Sequence, residues 1–363
     1  MTFFGTWGEP CQARQADVTT SAPLIAVLAA IVIVAAGCSR PASDGAWQPT
    51  RPIEFIVAAG PGGGSDQLAR TVQSIIQKHQ LLDSTVIVTN KGGGSGSEAF
   101  VYAKGAAGDP HKVVFATNNV WLLPLGSAVG YAWSDLQPVA AVAFDEFMLW
   151  VNSTAPYQNV AGFLDAARSP GTKLAIAGTA SKDTDQVLVR QIEKIGHVAF
   201  AYVPFRSGNE AAVQLAGGHV AANVNNPQEN IGQWRAGTIR PLCVFSPTRL
   251  NYADVVTAKQ SAASAAAPAP KWSDIPTCME AGLPIERYQM PRTVWLPKGV
   301  TDEQVAFYRA ILGKVRDTDE WKAWLKRGSQ TDAFLSGPEL TDYIASDERW
   351  LRGQFAEDGW LVH

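Results

Sequence analysis

The residues with the clearest chemical potential follow a glycine-rich turn near the start of the folded part. The segment Ala59–Arg70 (AGPGGGSDQLAR) runs from an apolar strand pattern through three glycines into Ser65 and Asp66, which are typical first residues of a helix. A helix amino terminus offers unpaired N–H groups and about half a positive charge, and glycines let a ligand approach the backbone. The segment predicts an anion-binding turn, with an ordinary capped turn as the alternative.

A second segment of the same kind is Asn90–Tyr102 (NKGGGSGSEAFVY). Because the carboxyl ends of parallel strands meet at one edge of a sheet, both turns are expected to face a common crevice. The first segment is not a nucleotide-binding motif, since no Gly-Lys-Ser/Thr follows its glycines. The second is not the nucleophile elbow of hydrolases, because Ser95 is followed two residues later by Ser97 instead of glycine.

Further polar residues follow three later strand patterns. Gly178–Gln186 (GTASKDTDQ) presents hydroxyl groups and Lys182, and Tyr202–Glu210 (YVPFRSGNE) presents Arg206, whose planar fork suits a carboxylate. Asn223, Asn225 and Asn226 end another strand pattern. For Lys182 or Arg206 alone, a solvated surface charge is the favoured explanation. Taken together, the set predicts one cleft.

Catalytic and metal-binding patterns are missing from the sequence. It contains no HExxH and no GxSxG, and the only candidates for an acid–base pair in the cleft are Asp66 and Asp183. A formal charge of −3 and 17% charged residues argue against nucleic-acid binding. We therefore predict no enzyme, no metal and no cofactor. The histidines are scattered, at His79, His111, His197, His219 and His363.

The amino-terminal region has the features of an export signal. The apolar run Ala22–Gly37 precedes Ala35-Ala36-Gly37-Cys38, which resembles the lipobox of bacterial lipoproteins. We predict a signal peptide over residues 1–37, lipidation of Cys38 and a polar tether over residues 38–50; an uncleaved membrane anchor is the alternative. Either arrangement places the folded part outside the cytoplasm. There Cys243 and Cys278 form either a disulfide or two separate buried thiols.

The folded part alternates apolar runs with helical periods, which indicates βαβ units. Leu68, Val72 and Ile75 recur at helical spacing, as do similar residues near 188–195, 305–315, 321–325 and 340–344. Ala258–Pro270 has low complexity and is interpreted as a surface insertion. The predicted strands are Ile53–Ala58, Thr85–Thr89, Lys112–Ala116, Phe147–Val151, Lys173–Ala177, Ala199–Val203, Val220–Val224 and Pro241–Phe245.

These segments resemble the substrate-binding proteins of tripartite tricarboxylate transporters, the Bug or TctC family. The matching phrases include IVAAGPGGGSDQLAR, VTNKGGGSGSEAFVYAKGAAGDPHKVVFATN, PFRSGNEAAVQLAGGHVAANVNNPQENIGQWRAGTIRPLCVFSPTR, DIPTCMEAGLPIE and VWLPKGV. The resemblance extends over about residues 51–360. It implies an α/β, two-domain periplasmic-binding-protein fold of the Venus flytrap, type II-like kind, with the ligand cleft between the domains.

The resemblance also implies the domain bounds and the site. Domain 1 is expected over residues 51–150 and 246–363, and domain 2 over residues 151–245. The chain departs from the family pattern at Ala59, Lys182 and Asp183, which leaves the identity of the ligand open. The implied ligand-binding residues are Ala59, Gly62, Gly63, Gly64, Ser65, Asp66, Gly93, Gly94, Ser95 and Asn118 on one side, and Thr179, Ala180, Ser181, Lys182, Asp183, Phe205, Arg206, Asn225 and Asn226 on the other.

The function that the resemblance implies is capture of a small organic carboxylate, such as a di- or tricarboxylate or an aromatic acid. The expected partners are the membrane permease subunits of a tripartite tricarboxylate-type transporter and, through the lipid anchor, the membrane. We expect a monomer. The alternatives are a subunit that presents its ligand to a receptor kinase and, less favoured, an extracytoplasmic enzyme.

Overall fold

The computed structural model describes residues 47–250 and 271–362, and within these ranges the chain forms two β-sheets flanked by helices. The strands are β1 (Ile53–Val57), β2 (Val86–Asn90), β3 (Lys112–Ala116), β4 (Leu136–Glu146), β5 (Met148–Asn152), β6 (Ala175–Thr179), β7 (Ala201–Phe205), β8 (Ala222–Asn225), β9 (Ile239–Val244), β10 (Gln289–Pro297) and β11 (Gln330–Leu335). The helices are α1 (Gly64–Lys78), α2 (Ser97–Lys104), α3 (Asn119–Gly126), α4 (Val160–Arg168), α5 (Thr184–Gly196), α6 (Gly208–Ala216), α7 (Pro227–Arg235), α8 (Asp302–Asp317), α9 (Asp319–Gly328) and α10 (Gly337–Glu357).

The first sheet has the strand order β11-β4-β10-β3-β1-β2. β1 pairs in parallel with β2 and β3, whereas β10, β4 and β11 add antiparallel strands beyond β3. The second sheet has the order β7-β6-β8-β5-β9, with β6 parallel to β7 and β8 and with β5 antiparallel to both of its neighbours. The predicted mixed α/β class is confirmed.

The chain changes sheet at two adjacent points. β4 ends at Glu146 and β5 begins at Met148, so that the single residue Phe147 links these two strands. The N–H of Phe245, one residue beyond β9, donates to the Phe147 carbonyl at 2.9 Å, and Tyr288 N–H donates to the Phe245 carbonyl at 3.0 Å. Side-by-side extended connections of this kind allow a hinge between the sheets. The domain bounds at 150/151 and 245/246 stay predictions.

Apolar periodicity explains how the helices pack on the sheets. In α1, Leu68, Val72 and Ile76 lie at i, i+4 and i+8 and are buried against the first sheet with residues of α8 and α9. Another cluster of buried apolar residues extends without interruption from the strands of the first sheet to helices α4 and α5, which pack on the second sheet. No helix in the described ranges is long and apolar enough to cross a membrane.

All eight predicted strands are present, with bounds shifted by no more than three residues. β4, β10 and β11 were not predicted. β10 contains two prolines and shows no regular alternation of apolar and polar residues. It pairs antiparallel with β3 and β4, which are far away in the sequence. Cys243 and Cys278 are joined in a disulfide, which decides between the two alternatives above. The predicted signal peptide, Cys38 and the insertion at Ala258–Pro270 lie outside the described residues.

Candidate functional site

A cavity of about 530 Å³ lies between the two sheets. Five helices, α1, α3, α5, α6 and α7, begin at or beside residues of its wall. Helix amino termini attract negative charge, so their convergence favours an anionic solute. The wall is formed by Ala58, Ala59, Gly60, Pro61, Gly63, Gly64, Ser65, Gly92, Ser95, Thr117, Asn119, Thr179, Ala180, Asp183, Thr184, Asp185, Phe205, Arg206, Ser207, Gly208, Asn226, Glu229, Met290 and Arg292.

The amino terminus of α1 is, like those of α3 and α7, without a side-chain cap. Gly63 occupies the N-cap position, and no side chain caps the helix there. A Cβ atom added to Gly64 would lie within 3 Å of the Arg292 guanidinium, so only glycine lets the cation pack against this turn. Arg292 Nη1 also donates to Ser65 Oγ at 3.4 Å. Free N–H groups and a guanidinium therefore meet at one point of the wall.

Asp66 supports this turn from behind instead of lining the cavity. Its carboxylate accepts from Gly62 N–H at 2.8 Å, from Asn90 Nδ2 at 2.9 Å and from Arg70 Nε at 3.0 Å. Although burial opposes the charged form, the hydrogen bonds from Arg70, Gly62 and Asn90 lower the pKa of Asp66. The residue is ionised at neutral pH and holds the first glycine turn to β2.

The second glycine turn packs directly on the first. A Cβ atom on Gly92 would lie 2.7 Å from the Ala59 carbonyl carbon and from Gly60 N, so this contact requires glycine. Ser95 lines the cavity, whereas Gly93 and Gly94 lie beside it. Gly93 N–H donates to Glu98 Oε2 at 3.2 Å. The two glycine turns thus form one continuous wall, as the sequence predicts.

Asn118 and Lys182 connect structure on the two sheets. Asn118, only 4% exposed, accepts a hydrogen bond from Thr184 Oγ1 at 2.9 Å. Lys182 Nζ donates to the Gly126 carbonyl at 3.3 Å. Neither Asn118 nor Lys182 lines the cavity. Both side chains hold α3 and α5 together beside it.

The start of α5 brings two carboxyl groups into the wall. Asp183 is the N-cap and accepts from Thr184 N–H at 2.8 Å, while Asp185 Oδ2 accepts from Thr179 N–H at 2.7 Å. Burial raises the pKa of Asp183, and it raises the pKa of Asp185 well above its usual value with help from the charges of Asp183 and Glu229. Both groups hold the turn between β6 and α5.

The remaining wall of the second sheet contains one guanidinium and one further carboxyl group. Arg206 is exposed, and its backbone N–H donates to Glu210 Oε2 at 3.1 Å. Glu229 lies in the first turn of α7, against the Cα of Gly208. Burial raises the pKa of Glu229 to about 7, against the opposing effect of the Arg292 charge.

Arg292 was not predicted as a site residue, and no local pattern around it indicates the role. It lies on β10, and its Nη2 donates to Asp145 Oδ2 in a pair whose members are 3% and 1% exposed. Asp145 also accepts from Gln330 Nε2. Glu229 and Asp185, by contrast, lie in segments that the sequence had singled out, three residues after Asn226 and two residues after Asp183, in the first turns of α7 and α5.

The predicted site residues therefore divide into two groups. Those in the wall of the cavity are Ala59, Gly63, Gly64, Ser65, Ser95, Thr179, Ala180, Asp183, Phe205, Arg206 and Asn226. Those outside the wall are Gly62, Asp66, Gly93, Gly94, Asn118, Ser181, Lys182 and Asn225. Asn225 is buried and donates to the Gly208 carbonyl at 2.8 Å and to Asn230 Oδ1 at 2.7 Å. Ligand contact by either group stays a prediction.

Metal and acid–base chemistry find no support in the described ranges. No group of three or more His, Cys, Asp or Glu side chains there is arranged to hold a metal ion. Asp66 is engaged with Arg70 and Asn90 outside the cavity wall, whereas Asp183 caps α5 inside it. The two candidates for an acid–base pair therefore have no common position at which to act on a substrate.

Paired crossover connections join the two sheets, and helix amino termini line the cavity between them. This arrangement defines a solute-binding protein of the periplasmic-binding-protein type. Residues 68–284 match the family described as tripartite tricarboxylate transporter family receptor, TctC. This match covers more than half of the chain, and the chain belongs to that family of extracytoplasmic solute-binding receptors. It is a binding protein and not an enzyme, and the family resemblance seen in the sequence is confirmed.

Individual relatives agree with this assignment. Protein BugT of Bordetella pertussis (strain Tohama I) is 26% identical over 334 residues, which cover 90% of this chain and 95% of BugT. Rpa4515 of R. palustris, solved with adipate, superposes with a TM-score of 0.75 at 22% identity, over 86% of this chain and 99% of that one. MatC of Rhodopseudomonas palustris, solved with malate, has a TM-score of 0.66 at 18% identity, over 85% and 98%. The two-domain fold of these structures is confirmed for this chain.

Proposed function

We propose that the protein is a lipid-anchored receptor that binds a small organic carboxylate between its two sheets and delivers it to a tripartite tricarboxylate-type permease. The observation that carries this proposal is the uncapped amino terminus of α1, which faces a cavity where four other helices also begin. The adipate and malate bound by the two R. palustris relatives support a carboxylate as the solute.

Binding requires no chemistry in this proposal. Each donor contributes about 0.5–1.5 kcal/mol, and more when the acceptor is charged. Several donors at Gly64, Ser65 and Ser95, with Arg206 and Asn226 opposite, suffice for micromolar affinity, about −8 kcal/mol. Because these residues come from both sheets, a bound solute favours the closed arrangement, and a membrane partner can distinguish that arrangement from the open one.

The lipid anchor and the permease are proposed on the sequence and the family. The segment Ala35-Ala36-Gly37-Cys38 supports lipidation of Cys38 after cleavage of a signal peptide over residues 1–37. The family description supports a transporter partner, and a receptor kinase is the alternative recipient. We propose that the receptor acts as a monomer, with domain 1 over residues 51–150 and 246–363 and domain 2 over residues 151–245.

Thermal unfolding of the purified chain against a panel of organic acids tests the binding function. At about a thousand times its dissociation constant, a ligand adds roughly 4 kcal/mol of apparent stability. For a chain of this length we expect a rise in Tm of several degrees. A protein that is first unfolded, freed of co-purified solute and refolded, and that then responds to no acid on the panel, would contradict the proposal.

Two cellular measurements test the anchor and the partner. Labelling cells with an alkyne fatty acid should mark the natural chain and leave Cys38→Ser unmarked, whereas equal labelling excludes lipidation at Cys38. Deleting the genes for the permease subunits should abolish uptake of the identified acid while the receptor still binds it. If uptake persists and only gene expression responds to the acid, the receptor serves a sensor.

A further inference from the structure

The wall of the cavity has more carboxyl groups than free cations. Five ionisable side chains belong to it: Asp183, Asp185, Glu229, Arg206 and Arg292. Arg292 already pairs with the buried Asp145, whose carboxylate lies behind the wall. The Arg292 charge also lowers the pKa of Glu229, and the exposed Arg206 is the second cation of this wall, so two cations, one of them paired with Asp145, face three acids. A cavity for a simple dianion would be expected to have the opposite balance.

Two of these carboxyl groups have hydrogen-bonding capacity to spare. Asp185 is only 5% exposed and accepts from the N–H and the side chain of Thr179, while Glu229 accepts from the backbone N–H of Asn226. Neither carboxyl group forms an ion pair with a described residue. An ionised carboxylate has about four acceptor sites, and buried acceptors are ordinarily paired. Both groups can therefore take further donors from a bound solute.

The charges of these groups also affect each other. Both groups line the same cavity, and, besides burial, repulsion from the charge of Glu229 raises the pKa of Asp185. A second carboxylate placed between them would add to this repulsion in a site screened from water. A cation would cancel it and would supply further donors, because an ammonium group has three N–H bonds.

We propose that the solute carries an ammonium group besides its carboxylate, and that Asp185 and Glu229 bind the ammonium. The carboxylate lies at the amino terminus of α1, near Gly64 and Ser65, on the opposite wall. The solute class is thus amino acids or other amino-carboxylates, not simple dicarboxylates. This inference rests on the proposed carboxylate-binding function and names its substrate class.

Isothermal titration with matched acids tests the inference. Two carbon skeletons are each used in three forms: a plain carboxylate, a dicarboxylate and an amino-carboxylate. The aliphatic set is pentanoate, glutarate and 5-aminovalerate, and the aromatic set is 4-methylbenzoate, terephthalate and 4-(aminomethyl)benzoate. Glutarate and L-glutamate form an additional pair that differs only by an α-amino group. On the skeleton that binds, we expect the amino form to bind at least tenfold more tightly than the other two. Equal or tighter binding of the dicarboxylate or the plain acid overturns the inference and leaves the proposed function intact. If no form of any skeleton binds, the result counts against both this inference and the proposed carboxylate-binding function.

Two variants assign the preference to the named carboxyl groups. Glu229→Gln and Asp185→Asn keep the side-chain shape, and the amide oxygen introduced by the second change can still accept from Thr179 N–H. We expect each variant to lose at least tenfold in affinity for the amino form and little for the plain acid. Glu286→Gln, at an exposed carboxyl group outside the wall, is the matched control and should change neither. If both cavity variants are folded, as judged by their ligand-free Tm values, and still prefer the amino form, then Asp185 and Glu229 do not bind the ammonium group.

Proton linkage gives a readout that depends on charge alone. Asp183 and Asp185 line the same cavity as Glu229, and burial raises the pKa of all three. The pKa of Glu229 is raised to about 7, because burial and the Asp145 charge outweigh the Arg292 charge, so this group is partly protonated near neutral pH before binding. An ammonium beside it lowers that pKa, and binding then releases protons, whereas a second carboxylate raises it and takes protons up. Titration at pH 7 in buffers with different ionisation enthalpies measures the sign. Proton uptake with the tightest-binding acid would rule out the proposed arrangement.

Discussion

Thr184 Oγ1 donates a hydrogen bond to Asn118 Oδ1 at 2.9 Å, which joins the first residue of α5 on the second sheet to the residue before α3 on the first. Both residues are buried, and Asn118 also bonds the Asp347 side chain. Tyr288 adds a hydrogen bond from its hydroxyl to the Thr184 carbonyl at 2.6 Å. A polar connection beside the cavity therefore joins the two sheets.

Replacing Thr184 with valine tests this connection. The change keeps the shape and leaves Asn118 Oδ1 buried without its donor, so we expect a loss of about 1–3 kcal/mol in the free energy of unfolding. Solute affinity should also fall, because closure is less favoured. Urea denaturation measures the first effect and titration the second. Thr341→Val, at an exposed threonine whose hydroxyl bonds the Gly337 carbonyl, is the control and should change stability by no more than about 0.5 kcal/mol.

Asp347 makes the stability depend on pH. Burial raises its pKa from the usual 3.8 to about 6, against hydrogen bonds from Trp121 and Asn118. The folded state therefore holds this proton more tightly than the unfolded state does. The resulting stabilisation is full below about pH 4 and is lost as the pH rises through 6.

Asp347→Asn removes this dependence. The amide oxygen can still accept from Trp121 Nε1, and no buried charge forms at neutral pH. We expect the variant to be more stable than the natural chain at pH 7.5, by up to about 2–3 kcal/mol, with the difference shrinking towards pH 4. Denaturant titrations at several pH values measure it. Asp342→Asn on the same helix is exposed and should show no such trend, and a difference that grows towards pH 4 would contradict the assignment.

Breaking the Arg292–Asp145 pair should be costly. Arg292→Met leaves the Asp145 carboxylate buried without its cation, although Gln330 still donates to it, and loss of one member of a buried pair typically costs about 3–5 kcal/mol. Arg352→Met removes an exposed pair with Glu348 and should cost no more than about 1 kcal/mol. Equal costs for the two variants, measured by urea denaturation, would show that the buried pair has no special role.

The disulfide should contribute measurably to stability. Cys243 and Cys278 are 35 residues apart. A disulfide that closes a loop of this length lowers the conformational entropy of the unfolded chain and thereby stabilises the folded state by about 3–4 kcal/mol. Cys243→Ala combined with Cys278→Ala should lower the free energy of unfolding by that amount. A reductant should destabilise the natural chain and leave the double variant unaffected. Alkylation of Cys243 and Cys278 themselves in the purified, unreduced protein would contradict the pairing.

Local sequence patterns determined most of the secondary structure and the family. Short apolar runs predict β1 and β3, and apolar residues at helical spacing predict α1. Each pattern depends only on the burial of residues within one element. The glycine turns at Gly63 and Gly92 are equally local, since a strand, a tight turn and a helix start follow one another in the chain. These features sufficed to predict the mixed α/β class and one wall of the cavity.

Tertiary structure alone decided which charges meet in the cavity. Arg292 contacts Ser65 and Asp145, from which it is separated by 227 and 147 residues, so no spacing rule relates them. β4, β10 and β11 likewise depend on antiparallel partners distant in the sequence, and sheet pairing of this kind leaves only a weak local signal. The acidic character of the second wall follows from where α5 and α7 begin, because packing places Asp185 and Glu229, which come from two separate helices, in the wall of one cavity.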